Sequence, residues 1–266
     1  MPVTRSPRRS SGVELLEAQP LRMVEVSSPS LSADHRAAMT RMWDDAVRTN
    51  PSLFDGPAAV CAGLNRAREH LVLTWARTTY RHHALRRVPG APWLPSLFVA
   101  VLQPTVDGCL LVARGSTSTV APGRWQLPGG SIEPPADHQL LDEATLRREA
   151  ARELVEETGL DTRPDDLTLW LVTREEDGNV GFLFLAPPRP AALVHRRFTG
   201  LVSAEAALGR TPELDQIALV RSESELACLH GSQADYLEPV VRRYAFTMTR
   251  PHAPLRTSST DLVCRP

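Results

Sequence analysis

The sequence predicts an α/β protein in which helices pack on a mixed sheet. This class rests on two observations. Short apolar runs bounded by turn residues recur along the chain, and one long helical pattern, residues 140–158, lies among them. With 266 residues, 42% of them hydrophobic, the chain is also long enough to bury a substantial core.

The first part of the chain, residues 21–90, is predicted to form a small α/β domain, after a disordered tail at 1–20 that is rich in Arg, Ser and Pro. Ser32 is a suitable cap for its helix, and Asn50-Pro51 ends that helix. The predicted elements are a strand at 21–26, a helix at 32–48, strands at 58–64 and 70–76, and a short helix at 78–87.

The second part, residues 95–247, is the larger predicted domain, and a flexible tail follows at 250–266. Asp107-Gly108 predicts a hairpin turn between its first two strands, and Gly159 is a natural residue to end the long helix. The predicted elements are strands at 97–102 and 109–113, the helix at 140–158, strands at 167–173, 180–186 and 216–220, and a closing helix at 236–246.

Composition excludes several classes of function. The net charge of −1 argues against a broad surface for nucleic acid or anionic membranes. The four cysteines form no C-x-x-C pair, and no uncharged apolar run approaches the ~20 residues of a membrane span. The N-terminus lacks the apolar core of a signal peptide. We therefore expect a cytoplasmic protein that binds neither nucleic acid nor membranes, and a homodimer is compatible with the sequence.

The most informative feature is an acidic stripe on the long helix. Glu153, Glu156 and Glu157 stand at helical positions i, i+3 and i+4, so their carboxylates project from one face, with Glu149 one turn earlier. Like charges on one stripe repel each other, and a divalent cation such as Mg²⁺ would offset that repulsion. The alternative is a solvated acidic face, whose ion-pair partners would be Arg147, Arg148 and Arg152.

The surrounding residues favour the metal interpretation. Residues 152–160, with the sequence R-E-L-V-E-E-T-G-L, follow a glycine turn, Leu127-Pro128-Gly129-Gly130. Together they resemble the Nudix box, G-x₅-E-x₇-R-E-U-x-E-E-x-G-U, in which U is a bulky apolar residue. The resemblance covers residues 95–247 and implies a Nudix α/β/α sandwich with a mixed sheet, preceded here by the small N-terminal domain.

The box departs from the family pattern in its first half. Residues 131–151 separate Gly130 from Arg152, eight more than the thirteen of the pattern. The first glutamate is thereby displaced, since counting from either end of the insertion reaches an alanine. Two residues can take its place: Glu143 or Asp137. We expect the insertion to form an extended or broken helix that begins near Asp137.

The resemblance implies roles for individual residues. Glu153, Glu156 and Glu157 would hold Mg²⁺ or Mn²⁺ together with a carbonyl of Gly129 or Gly130, and Arg152 would orient the glutamates. A further metal-binding acid is expected from a loop before a late strand. Glu213 is the main candidate for it, and the alternatives are Glu205, Glu175 and Glu176. The residues expected to reach the diphosphate of the substrate are Arg114 and Arg124.

The implied function is the metal-dependent hydrolysis of a diphosphate linkage in a nucleoside diphosphate linked to another moiety. Residues 43–46, 50–57 and 79–81 resemble the N-terminal extension of Nudix enzymes that cleave UDP-sugars, which makes a nucleotide sugar the first candidate substrate. Equally, the apolar side chains there could simply form the core of the N-terminal domain. The alternative functions are hydrolysis of an isoprenoid diphosphate and non-catalytic nucleotide sensing. We expect the N-terminal domain to border the substrate pocket.

Overall fold

The computed structural model describes residues 12–67, 70–119, 121–137 and 139–249. The tail predicted at 250–266 and most of the one predicted at 1–20 lie outside the described residues. The strands are β1 (Glu14–Glu17), β2 (Leu21–Glu25), β3 (Pro57–Ala67), β4 (His70–Thr79), β5 (Leu97–Leu102), β6 (Leu110–Gly115), β7 (Trp125–Gln126), β8 (Gly129–Ser131), β9 (Thr168–Arg174), β10 (Val180–Leu185) and β11 (Leu214–Val220). The helices are α1 (Ala33–Thr49), α2 (Glu143–Thr158), α3 (Ala191–Ala207), α4 (Glu223–Ala227) and α5 (Leu237–Thr249), with 3₁₀ helices at Tyr80–Arg87 and Pro164–Asp166.

A five-stranded central sheet has the order β1-β9-β10-β5-β8, and only β10 and β5 are parallel in it. Alternate residues of β5 point to opposite faces. Val99 and Val101 pack with α2, whereas Ala100 and Leu102 pack with α5. The central sheet therefore lies between two helices, and the predicted mixed α/β sandwich is confirmed.

Two smaller sheets accompany the central one. The second sheet has the order β11-β6-β7, and the N-terminal sheet has the order β2-β4-β3. The N-terminal sheet is joined to the rest of the fold by backbone hydrogen bonds, from Ala59 N to Ile132 O and from Cys61 N to Pro95 O, both 2.8 Å. Trp75 of β4 is buried in the same core as α2, so the N-terminal segment shares the main hydrophobic core.

The predicted hairpin between β5 and β6 is present at its turn and for a short stretch beyond it, where Pro104 bridges antiparallel to Leu110 and Leu111 N donates to Gln103 O at 3.0 Å. Gly108 has the positive φ of +85° that the turn requires, and Thr105 N donates to Cys109 O. Beyond these pairs the two strands enter different sheets. Pro104 lies where they diverge and has no N–H with which to continue a ladder.

The prediction of a disordered tail at 1–20 is wrong for its last part, because residues 14–17 form β1. This strand pairs antiparallel with β9 at the edge of the central sheet. Leu15 packs with the core beneath α5 and Leu16 with the core beneath α2. Two leucines between two glutamates are a weak strand signal, and the exposed edge of β9 supplies the pairing.

Local sequence signals predicted some of the helices and missed others. Ser32 caps α1 by accepting a hydrogen bond from His35 N, as predicted. Helix α3 was not predicted, and it has no side-chain cap and buries only Val194 and Phe198. None of the helices within the described residues is both long and apolar enough to cross a membrane.

Candidate active site

A cavity of about 850 Å³ opens beside the exposed face of α2. Its walls come from the glycine turn that leads into β8, from α2, from the loop after β6 and from residues 52–54 of the N-terminal segment. The residues of the predicted box that line it are Gly129, Gly130, Arg152, Glu153, Glu156 and Glu157. The structure therefore brings the glycine turn and the acidic stripe to one cavity.

The two glycines are in close contact with neighbouring atoms. A Cβ atom on Gly129 would lie 2.1 Å from the carbonyl oxygen of Val99, and one on Gly130 would lie 2.7 Å from the carboxylate of Glu153. The amide of Gly129 donates a 2.7 Å hydrogen bond to Glu157 Oε2. Only glycine permits this approach of the turn to the helix.

Arg152 holds the acidic stripe together from its solvent side. Its guanidinium donates to Glu149 Oε2 at 2.8 Å, to Glu153 Oε1 at 2.7 Å and to Glu156 Oε2 at 2.7 Å. One planar fork thus sets the rotamers of three carboxylates. The orienting role of Arg152 stays a prediction.

Burial disfavours the ionised forms of the two inner carboxylates, those of Glu153 and Glu157. Burial raises the pKa of Glu153 to about 7 against the opposing charge of Arg152, and the charges of Glu213 and Glu156 add to the rise. Burial followed by the charge of Glu153 raises the pKa of Glu157 well above its ordinary value. Any added positive charge beside these oxygens would favour both ionised forms.

The candidates for the additional metal-binding acid differ in whether they line the cavity. Glu213 precedes β11 and lines the cavity, with its carbonyl accepting a 2.8 Å hydrogen bond from Ser116 N. Glu175 also lines it, and its buried carboxylate accepts from Asn179 Nδ2 at 3.0 Å. Glu205 pairs instead with Arg210, and neither Glu205 nor Glu176 lines the cavity.

The two predicted phosphate-binding arginines also differ. Arg124 lines the cavity and lies 3.6 Å from Asp235, a loose pairing that leaves the guanidinium available to a ligand. Arg114 donates to Asp215 Oδ1 at 2.8 Å and does not line the cavity. The structure therefore does not bring Arg114 to the site, because the pairing of β6 with β11 directs it to Asp215.

The insertion in the box is a loop, so the expected extended or broken helix is wrong. Helix α2 begins at Glu143, capped by Asp142, whose Oδ1 accepts from Thr145 N at 2.8 Å. The loop is held to β4 by Arg77, which donates to the carbonyl of Pro135. Neither proposed substitute for the first glutamate lines the cavity, since Glu143 pairs with Arg147 and the charge of Asp137 acts on Arg77.

Sequence reasoning left the role of several lining residues open. The interpretation of Leu53, Phe54 and Tyr80 as mere core is not what the structure shows, because all three line the cavity. Tyr236 also lines it, and its hydroxyl accepts a 3.2 Å hydrogen bond from Leu127 N just before the glycine turn. No local pattern distinguishes such aromatic residues from core residues, since the distinction depends on the packing of distant segments.

The residues present fit a hard divalent cation in their chemistry. The donors are carboxylate and carbonyl oxygens, and the carboxylates are crowded with like charge. Within the described ranges, no three acidic, His or Cys side chains are grouped closely enough to hold an ion. Arg152 also engages Glu153 and Glu156. Cation binding would therefore require some of these carboxylates to change rotamer.

A central sheet between helices, with a glycine turn against an R-E-x-x-E-E helix, defines a diphosphate hydrolase of the Nudix class. The NUDIX domain profile matches residues 93–242, and the chain belongs to this family. It is a Nudix-type hydrolase, acting on pyrophosphate bonds. No curated protein sequence matches the chain significantly.

Solved structures resemble the chain at low identity. The MutT protein from Methanosarcina mazei Go1 is 21% identical with a TM-score of 0.41, and the match covers 59% of this chain and 97% of that one. The NUDIX domain of Shewanella oneidensis NrtR, complexed with ADP ribose, is 14% identical with a TM-score of 0.35, over 58% and 88% of the two chains. A bifunctional NMN adenylyltransferase/ADP ribose pyrophosphatase from Francisella tularensis, complexed with AMP and a Mn ion, is 12% identical with a TM-score of 0.36, over 62% and 43%.

Proposed function

We propose that this hydrolase cleaves the diphosphate linkage of a nucleoside diphosphate joined to another moiety, in the cytoplasm and with Mg²⁺ or Mn²⁺. One observation carries the proposal. The buried carboxylates of Glu153 and Glu157 lie against the Gly129-Gly130 turn in a cavity whose volume, about 850 Å³, suits a nucleotide-sized ligand. A UDP-sugar is the first candidate substrate, because residues 43–46, 50–57 and 79–81 resemble the N-terminal extension of Nudix enzymes that cleave UDP-sugars.

The residues proposed to hold the metal are Glu153, Glu156, Glu157, Glu213 and the carbonyl of Gly130. A bound divalent cation supplies activation of a water molecule and neutralisation of phosphoryl charge. Arg152 keeps Glu153 and Glu156 facing the cavity, and the Gly129 amide keeps Glu157 in place. Arg124, on the cavity wall, is positioned to donate hydrogen bonds to diphosphate oxygens.

The division of labour between segments is part of the proposal. Residues 93–242 carry the box and its cations, whereas residues 52–54 and Tyr80 belong to the segment that precedes the family domain. The predicted domain boundaries at 21–90 and 95–247 stay a prediction. We propose that the N-terminal segment helps to select the substrate.

The test is phosphate release from UDP-sugars, ADP-ribose, nucleoside triphosphates and prenyl diphosphates, with Mg²⁺, with Mn²⁺ and with EDTA. Glu156→Gln keeps the shape of the side chain and removes its charge, so we expect a loss of kcat of roughly 100-fold or more. Glu143→Gln on the same helix, outside the cavity, is the matched control and is expected to retain activity.

Two results would contradict the proposal. Full turnover in EDTA would exclude a metal requirement, and near-wild-type activity of Glu156→Gln would place the catalytic charge elsewhere. Glu213→Gln and Glu176→Gln compare the extra acids directly. We expect a loss only for Glu213→Gln, because Glu213 lines the cavity and Glu176 does not.

A further inference from the structure

The rim loop, residues 50–56, is held firmly at the mouth of the cavity. Asn50 Nδ2 donates to the carbonyls of Ser118 and Thr119 at 3.3 and 3.4 Å, which joins the rim loop to the loop after β6. Within the rim loop, Leu53 N donates to Asn50 O at 3.1 Å. At its far end, Gly56 O accepts from Tyr80 N at 2.8 Å. The rim loop is therefore a fixed part of the cavity wall.

The rim loop places Phe54 at the cavity, where few protein atoms cover its ring. Its side chain is 79% exposed although it lines the cavity. The other aromatic residues of the lining are covered: Phe98 and Tyr236 pack on each other, with ring centroids 5.4 Å apart, and Tyr80 packs on Trp43 and His83. Within the described part of the chain, Phe54 has no ring partner.

The surroundings of Phe54 distinguish between possible ligands. Ser52 lies in the rim loop, and Ser118 and Thr119 are joined to it through Asn50, whereas the three glutamates of the box lie on α2. The hydroxyls of Ser118 and Thr119 already bond to Ser116, at 2.8 and 2.9 Å, and their oxygens can still accept a hydrogen bond from a ligand. A purely aliphatic chain would make no such bond. A planar ring with polar edges can stack on the exposed face of Phe54 and donate hydrogen bonds to this polar wall.

We propose that Phe54 is a specificity-determining residue that stacks on the nucleobase of the substrate. The inference rests on the proposed function, because it assigns the nucleoside end of the same substrate. It gives the segment that precedes the family domain a defined task. The diphosphate lies towards the carboxylates of α2, and the base lies against the rim loop.

The decisive experiment measures binding rather than turnover. The probes are uridine and adenosine α,β-methylene diphosphates, which resist hydrolysis, and the base-free methylenediphosphonate, each titrated calorimetrically in Mg²⁺. For Phe54→Ala we expect about tenfold weaker binding of the two nucleoside probes and a change of less than about twofold for the base-free probe. Phe54→Trp is expected to restore binding, and Phe246→Ala, an exposed phenylalanine outside the cavity, is the control.

Each outcome bears on the inference separately from the proposed function. Unchanged binding of Phe54→Ala to the nucleoside probes, or equal loss for the base-free probe, overturns the stacking role even if the enzyme hydrolyses nucleotides. An equal loss of kcat/KM on a prenyl diphosphate overturns it in favour of a general apolar contact. Selective loss of nucleoside binding supports it even if no nucleotide is hydrolysed, in which case only the proposed function fails.

Discussion

The two glycines of the turn should respond very differently to alanine, although they are adjacent. At Gly129 the new Cβ would lie 2.1 Å from Val99 O and 2.7 Å from Ala100 Cα, which are both backbone atoms of β5. At Gly130 the three nearest atoms would all belong to the carboxylate of Glu153, at 2.7 to 2.8 Å. Backbone within a sheet moves aside only by disturbing strand pairing, whereas the end of a glutamate side chain can rotate.

These distances set the expected magnitudes. Since non-bonded heavy atoms prefer separations of ~3.5 Å or more, Gly129→Ala must displace β8 from β5 by on the order of 1 Å. We expect a loss of about 3 kcal/mol of unfolding free energy, the upper end for overpacking, and a Tm lower by about 6–12 °C. For Gly130→Ala we expect less than about 1 kcal/mol, because a side chain yields. Displacing the Glu153 carboxylate should nevertheless reduce kcat/KM by roughly 100-fold.

The assay pairs thermal unfolding with phosphate release, using the best substrate of the panel. Gly200→Ala is the control, since nothing lies within 4 Å of its new Cβ and it sits in α3. We expect it to raise stability by up to about 1 kcal/mol through helix propensity. Equal destabilisation by Gly129→Ala and Gly130→Ala would refute this reasoning, as would full activity of Gly130→Ala.

Two further predictions concern stability. Burial, with the nearby charges of His82 and Arg86, lowers the pKa of His83 to about 4. As the pH falls, the unfolded chain therefore binds a proton at His83 before the folded chain does. The free energy of unfolding that is present above pH 6.5 is lost as the pH falls towards 4, and the loss is about 2 kcal/mol at pH 5. Urea unfolding at pH 7.5 and 5.0 should show a smaller loss for His83→Gln than for wild type, and identical losses would contradict this cause. Asp142→Ala removes the α2 cap and should cost about 1 kcal/mol, whereas Asp142→Asn should retain most of it, and chemical denaturation of both variants tests the cap.

The sequence alone determined the features that depend on neighbours close in the chain. The stripe of Glu153, Glu156 and Glu157 follows from helical periodicity, and the end of α2 at Gly159 follows from its left-handed conformation, with φ +70°. The Ser32 cap is equally local. The Nudix box was recognisable for the same reason, because its spacing is a property of one helix and one turn.

Only the tertiary structure decided which residues share the cavity. Arg114 and Arg124 both flank the loop before the box, but the β6–β11 pairing directs Arg114 to Asp215, whereas Arg124 lines the cavity. Likewise, only the tertiary structure shows that Glu213 lines the cavity and Glu176 does not. It also shows that Phe54 is an exposed lining residue, which a sequence pattern cannot distinguish from a core residue. Side chains far apart in the chain meet through strand pairing and sheet packing. The free energy of that packing is a sum over many weak contacts between distant segments, and no short segment encodes it.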